Sequence, residues 1–205
     1  MSCCPDTSDE LAWANLSRRR FLTGLAAASA SLLVPGVWNG LAHASTPTQP
    51  AIDLPGGDLP RELTFHHTHT EEELHIVYWR TGSYVPEALD AVNRFLRDFR
   101  TGDQVSIDPH LLDVLHTLAL ATGTKSSFHV ISGYRSPQTN ASLRKRRRGV
   151  ARNSQHLRGR AIDVRLEDVD TTTLRDTAIA LGRGGVGYYK KSRFVHVDTG
   201  PVRTW

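Results

Sequence analysis

A histidine and two aspartates stand near the end of this chain in strands whose other residues are mostly apolar. Asp163 falls between Ile162 and Val164 in Ala161-Ile-Asp-Val-Arg-Leu166, and a charge in such company costs several kcal/mol unless something pairs with it. His196 and Asp198 alternate with valines in Phe194-Val-His-Val-Asp198, which puts them on one face of a strand. His156 precedes Asp163 by seven residues in the polar stretch that opens at Ser154. A metal ion satisfies His156, Asp163 and His196 together. Two neutral imidazoles and one carboxylate leave the fourth position of a tetrahedral zinc for water, the pattern of a catalytic site, whereas structural sites are closed by four ligands. The net positive centre lowers the pKa of that water towards roughly 7 and so makes a nucleophile at neutral pH.

Hydrolysis needs a group to take and return the water's proton. Asp198 is the acidic candidate from spacing; the same side chain can instead orient the His196 imidazole. Arg135 stands in Gly133-Tyr-Arg-Ser-Pro137, a turn after a strand. From there it can stabilise an oxyanion, bind a substrate carboxylate, or simply salt-bridge within its loop.

The elements that must position these groups follow from periodicity. Glu62–His69 and Glu71–Trp79 are β-prone halves of a hairpin around a polar turn. Its histidines, His66, His67, His69 and His75, read as an exposed strand face that only titrates, with nothing apolar to shield it. Ala88, Leu89, Val92, Phe95, Leu96 and Phe99 recur at helical spacing, with Arg94, Arg97, Asp98 and Arg100 on the polar side and Gly102 as a stop. A second helix starts at Asp108-Pro109, N-cap and first helical position, and runs to Gly123, with His116 at its surface or boundary. Ser127–Ser132 is a strand, and a helix runs from Ser136-Pro137 through Leu143. The strand from Ala161 puts Ala161, Asp163 and Arg165 on one face and Ile162, Val164 and Leu166 on the other. Thr171–Leu181 is a helix. Gly182, Gly184, Gly185 and Gly187 mark tight turns around a strand from Val186 to Tyr189, and the tail to Trp205 packs down.

The chain has 205 residues, 39% hydrophobic and 22% charged, which suits one soluble globular domain. Residues 1–44 do not belong to it. Ser17-Arg-Arg-Arg-Phe-Leu22 is a twin-arginine pattern, a mildly apolar stretch follows, and Ala42-His-Ala44 offers small residues for signal peptidase. Gly, Ser and Pro interrupt the apolar stretch, which argues against a stable membrane span. Residues 45–60 are a Pro/Thr/Gly-rich linker. Both cysteines, Cys3 and Cys4, lie in the leader. The exported protein therefore lacks disulfides and thiolate ligands, which is compatible with the periplasm. The basic run Arg144–Arg148 lacks interleaved aromatics, so it reads as a solvated face or an attraction to an anionic envelope polymer, not as a nucleic-acid site.

Three stretches carry a family resemblance. They are Ser132-Gly-Tyr-Arg-Ser136, Ser154-x-His156-x2-Gly159-x-Ala161-x-Asp163, and Gly184-Gly-Val-Gly-Tyr-Tyr189 leading to Phe194-Val-His-Val-Asp-Thr-Gly-Pro-x-Arg203-x-Trp205. They resemble zinc peptidases of the murein endopeptidase K type, within the group that includes D-Ala-D-Ala dipeptidases and carboxypeptidases and the hedgehog signalling domain. The resemblance implies an α+β fold with a small antiparallel sheet carrying a zinc site and flanked by helices, over residues 61–205. It also implies cleavage of amide bonds in peptidoglycan cross-links. Carried over by position, His156, Asp163 and His196 ligate zinc, Arg135 meets substrate, and Ser154 lies beside the substrate carboxylate. One departure stands out. The dipeptidases place a Glu three residues before the last zinc histidine, where this chain has Arg193.

These readings converge on a periplasmic zinc endopeptidase that opens peptidoglycan cross-links. The alternatives are a non-catalytic, zinc-stabilised peptidoglycan-binding module, favoured by the missing acid, and a D,D- or L,D-carboxypeptidase, in which Arg135 holds a terminal carboxylate.

Overall fold

In the computed structural model, residues 59–146 and 149–205 are described. The leader at 1–44, almost all of the linker, Arg147 and Arg148 lie outside the described residues. The hairpin forms as β1 (Arg61–His67) and β2 (Glu73–Arg80), with β3 (Ser83–Tyr84) added to its edge. Then come α1 (Pro86–Phe95), α2 (Pro109–Thr122), β4 (Phe128–Ser132) and α3 (Pro137–Arg146). The chain closes with β5 (Ala161–Arg165), α4 (Thr171–Leu181), β6 (Gly185–Tyr189), β7 (Phe194–Asp198) and β8 (Arg203–Thr204).

All eight strands join one sheet in the order β3-β2-β1-β4-β5-β7-β6-β8. The fold is α+β, but the sheet is neither small nor purely antiparallel. β1 runs parallel to β4 and β8 parallel to β6. A parallel neighbour needs a long crossover, and α1 and α2 supply it between β2 and β4. The antiparallel expectation holds for the run β4-β5-β7-β6, which carries the site.

One face of that run is apolar. Val130, Ile162, Val164, Val195 and Val197 are buried in a single cluster with Leu111, Leu115, Leu118, Leu174 and Ala178 from α2 and α4. α2 begins as its sequence dictates. The Asp108 carboxylate accepts the His110 N–H at 3.1 Å, Pro109 opens the helix, and Gly123 ends it at φ 66°. Asp108 also accepts the Thr199 hydroxyl at 2.7 Å, tying the helix start to the turn after β7. Inside α2, buried Asp113 accepts Arg61 Nη1 at 2.7 Å and the hydroxyls of Tyr78 and Tyr84, which locks the helix to the hairpin.

Two expectations are corrected. α1 stops at Phe95, not beyond Phe99, and Asp98 is buried instead of lying on a polar face. Its carboxylate accepts the N–H groups of Arg100 at 3.0 Å and Ser136 at 2.9 Å, and such local bonds compete with helix continuation. The histidine strand face is also not uniformly exposed. His67 is buried, with its ring edge-on to Phe95 and Phe99, and its Nδ1 accepts the N–H groups of His69 and Thr70. Burial pushes its pKa down. His69 and His75 are exposed, His66 half-buried, and His116 sits at the boundary as expected. Among the described residues, no helix is long and apolar enough to cross a membrane. The basic residues Arg144, Lys145 and Arg146 end α3 and are exposed.

Candidate metal centre

Strand register builds the site. Ser132 lies opposite Asp163, Asp163 opposite His196, and His196 opposite Gly187. This row crosses four strands on the face turned away from the apolar cluster. His156 arrives from outside the sheet on a short 3-10 turn, Gln155–Arg158, which Ser154 caps by accepting the His156 N–H at 3.4 Å. Gly159 ends the turn at φ 65°, a left-handed conformation that glycine adopts without strain.

His156 Nε2, His196 Nδ1 and Asp163 Oδ1 then converge. They lie 3.1 Å (His156–His196), 3.2 Å (His156–Asp163) and 2.9 Å (His196–Asp163) from one another. The outer ring nitrogens decide which atoms face inward. His156 Nδ1 is 2.7 Å from the Gly133 carbonyl, which can only accept, so this nitrogen carries the proton and Nε2 turns a lone pair inward. His196 Nε2 donates to Asp198 Oδ2 at 2.8 Å, which leaves Nδ1 for the centre. With both tautomers set this way, two nitrogen lone pairs and a carboxylate oxygen face each other at about 3 Å, an arrangement that a cation between them makes favourable. A tetrahedral ion with bonds of about 2.1 Å holds its ligand atoms about 3.4 Å apart, so a slight opening of the three donors accommodates it. Among the described residues this is the one group of three such side chains that could hold a metal ion, and all three are buried.

Electrostatics agree with the geometry at His156 and Asp163. Burial pushes the His156 pKa down, towards the neutral form that ligates. Burial acts on His196 in the same direction, but the carboxylates of Asp163 and Asp198 outweigh it and hold that ring's pKa up. Burial alone would raise Asp163; the two imidazoles beside it hold the carboxyl well below the ordinary carboxylate range. The second Asp163 oxygen faces Arg135 Nη2 at 3.3 Å. Arg135 itself is held by its turn, since the Tyr134 N–H donates to the Leu96 carbonyl at 2.8 Å and the Arg135 N–H to the His156 carbonyl at 3.2 Å.

Asp198 is placed on the far side of His196. It is fully buried, and its oxygens accept from His196, from the N–H groups of Gly185 and Gly200, and from Arg203, whose Nη2 lies at 2.6 Å. Burial would raise its pKa, but the His196 and Arg203 bonds hold it far down. Both oxygens point away from the centre, so this placement suits the orienting role and not that of a base reaching metal-bound water. Arg193, where the dipeptidases have Glu, is exposed at φ 51°.

The centre opens on one side into a cleft of about 630 Å³, lined by Arg135, Ser154, Tyr189, Phe194, Arg203 and Trp205 among others. Arg203 and Trp205, which the sequence offers in a family-like motif and in a tail expected to pack down, enter the site because their alternate spacing places them on one strand face. The glycines read as turns are largely close approaches. A Cβ on Gly185 would lie 2.4 Å from Arg203 and one on Gly187 2.6 Å from the Trp205 indole. Trp205 does not pack away, because half of its surface stays exposed to the cleft.

A three-ligand centre that keeps one side open to a cleft is the arrangement of a metallopeptidase. The chain belongs to the family described as peptidoglycan L,D-endopeptidase MepK, an M15-type peptidase family whose model matches residues 57–205. It is 41% identical over 174 residues to the peptidoglycan L,D-endopeptidase MepK of Escherichia coli K12, covering 85% of this chain and 94% of that protein. The Shigella flexneri protein of the same name matches equally. The probable peptidoglycan L,D-endopeptidase MepK of Haemophilus influenzae is 42% identical over 147 residues, 71% of this chain and 79% of that one. No solved structure matches the chain significantly.

Proposed function

We propose that this chain is a zinc-dependent peptidoglycan L,D-endopeptidase, exported to the periplasm by the twin-arginine leader at residues 1–44. The carrying observation is the convergence of three buried lone-pair atoms from His156, Asp163 and His196, open to a cleft, in a member of this family. These three side chains hold the ion. When bound, zinc supplies a Lewis acid and a water of pKa near 7.

The remaining roles belong to the chain's own residues. Gly133 and Asp198 set the two imidazole tautomers, which fixes the ligating nitrogens before metal arrives. Asp198 is an orienting group held from behind by Arg203. Arg135 contacts the second oxygen of Asp163 and stands at the cleft, where it can meet a substrate carboxylate or the oxyanion of the scissile carbonyl. Ser154 lines the same cleft and, by capping the turn, also holds His156.

The test is mass spectrometry of products after incubating the exported form, zinc-loaded or chelated, with two muropeptide dimers. One is linked directly through diaminopimelate, the other through D-alanine. The L,D bond of the first opens only with zinc. Dimers that survive intact while free peptide ends are trimmed would instead identify a carboxypeptidase. Dimers that are bound but never cut under several pH conditions would identify a binding module.

A further inference from the structure

The cleft has two unlike walls. On the β4 side of the metal centre stand Arg135 and Ser154; on the β6–β8 side stands an aromatic shelf of Trp205, Tyr189 and Phe194. Exposed aromatics are unremarkable when scattered singly, but here two lie in one cleft, Tyr189 at 37% and Trp205 at 51% exposure. They are held rigidly. Tyr189 and Phe194 stack at 4.5 Å and 17°, and the Trp205 indole N–H donates to the Tyr189 hydroxyl at 3.1 Å. The Trp205 backbone bonds β6 in both directions, donating to Val186 and accepting from Tyr188. Gly187 leaves no side chain beneath the indole, which lies 5.1 Å from the His196 ring. A preformed apolar surface beside a few aimed polar groups is how small-ligand sites are built.

We infer that the Trp205–Tyr189 shelf is the subsite for the methylene chain of the diaminopimelate residue at the scissile bond, with Arg135 taking a carboxylate across the centre. The argument rests on the reading of peptidoglycan as substrate. Diaminopimelate is a short methylene chain between two charged ends, so it offers apolar surface to one wall and a carboxylate to the other. A residue with a small side chain would leave the shelf uncovered. Trp205 is therefore a specificity-determining residue, and its contribution is to binding.

Calorimetric titration reads this without turnover. The zinc-loaded parent, Trp205→Ala, Trp205→Phe and Tyr189→Ser are titrated with the tripeptide L-Ala-γ-D-Glu-diaminopimelate and with the same peptide ending in alanine. The parent prefers the diaminopimelate peptide by about tenfold or more, Trp205→Ala and Tyr189→Ser lose most of that preference, and Trp205→Phe keeps much of it. Zinc affinity, measured by chelator competition, stays unchanged in all four. An unchanged preference in both Trp205→Ala and Tyr189→Ser overturns the proposal. So does a loss of zinc affinity that parallels the loss of peptide binding, because the ring would then be holding His196. A parent that binds the peptide yet leaves every cross-link whole would remove the proposed reaction and leave the shelf standing. Should Trp205→Ala fail to fold, Tyr189→Ser carries the same comparison.

Discussion

His196 has two acidic neighbours with opposite tasks. Asp163 meets the ring nitrogen that faces the centre, and Asp198 meets the nitrogen that faces away. The second contact sets which nitrogen is free to ligate, so its loss should show first in metal affinity. Asp198→Asn is expected to weaken zinc binding about 10- to 100-fold, the usual cost of removing a partner behind a ligand. Arg203→Ala acts through the same contact and should add little to Asp198→Asn, the mark of residues working as one unit. Competition with a zinc chelator measures both. Full additivity would mean that Arg203 does not reach His196 through Asp198. Spacing alone placed Asp198 on the correct face but could not tell a base from an orienting group. That choice turns on which side of His196 the carboxylate occupies, and strand pairing to Ala161 and the approach of Arg203 favour the orienting role.

Each site residue rides on an element with its own anchor. The turn that presents Arg135 is fastened by Asp98, whose buried carboxylate accepts the Ser136 N–H. Burial would raise the pKa of Asp98, but hydrogen bonds from Thr139, Ser136 and Arg100 outweigh it and hold it below the ordinary value. A carboxyl with a depressed folded pKa contributes fully above its unfolded pKa of about 3.9 and loses that contribution as pH falls through the folded value. Urea midpoints of the parent should therefore drop from about pH 4 downward, and Asp98→Asn, about 1–3 kcal/mol less stable at neutral pH, should show a flatter acid limb. An identical acid limb in the two proteins would rule out this anchor. On β6, Gly187→Ala drives a methyl into the Trp205 indole and is expected to cost about 1–3 kcal/mol. Activity should fall further than stability does, read by cross-link cleavage at a temperature where the variant remains folded.

Across the whole domain, the strand row that carries Asp163 and His196, with His156 brought in beside it, places three acceptor atoms where a cation between them is favourable. Metal and stability are thus linked. Zinc at about a thousandfold above its dissociation constant should add about 4 kcal/mol of stability, seen as a higher unfolding temperature that chelation reverses. His156→Ala should remove the zinc-dependent part of that shift and leave the hydrophobic cluster on the opposite face to hold the apo fold. An unfolding temperature indifferent to zinc in the parent would contradict the proposed centre.

Local chemistry wrote the helix caps at Asp108 and Gly123, the span Thr171–Leu181, and the alternation that sorts Asp163 and His196 from their apolar neighbours. These depend on contacts within a few residues, so they are legible along the chain. The proposed ligands Asp163 and His196 stood out for a related reason: a charge or imidazole between apolar strand neighbours must be satisfied by something. Long-range pairing decided the rest. The parallel seams β1–β4 and β6–β8 join segments far apart in the chain, and no periodicity announces them. The burial of His67 beneath Phe95 and Phe99, the retreat of Asp198 behind His196, and the exposed face of Trp205 over Gly187 all arise where separate strands and turns meet. That meeting is a property of the packed sheet, and only the folded chain contains it.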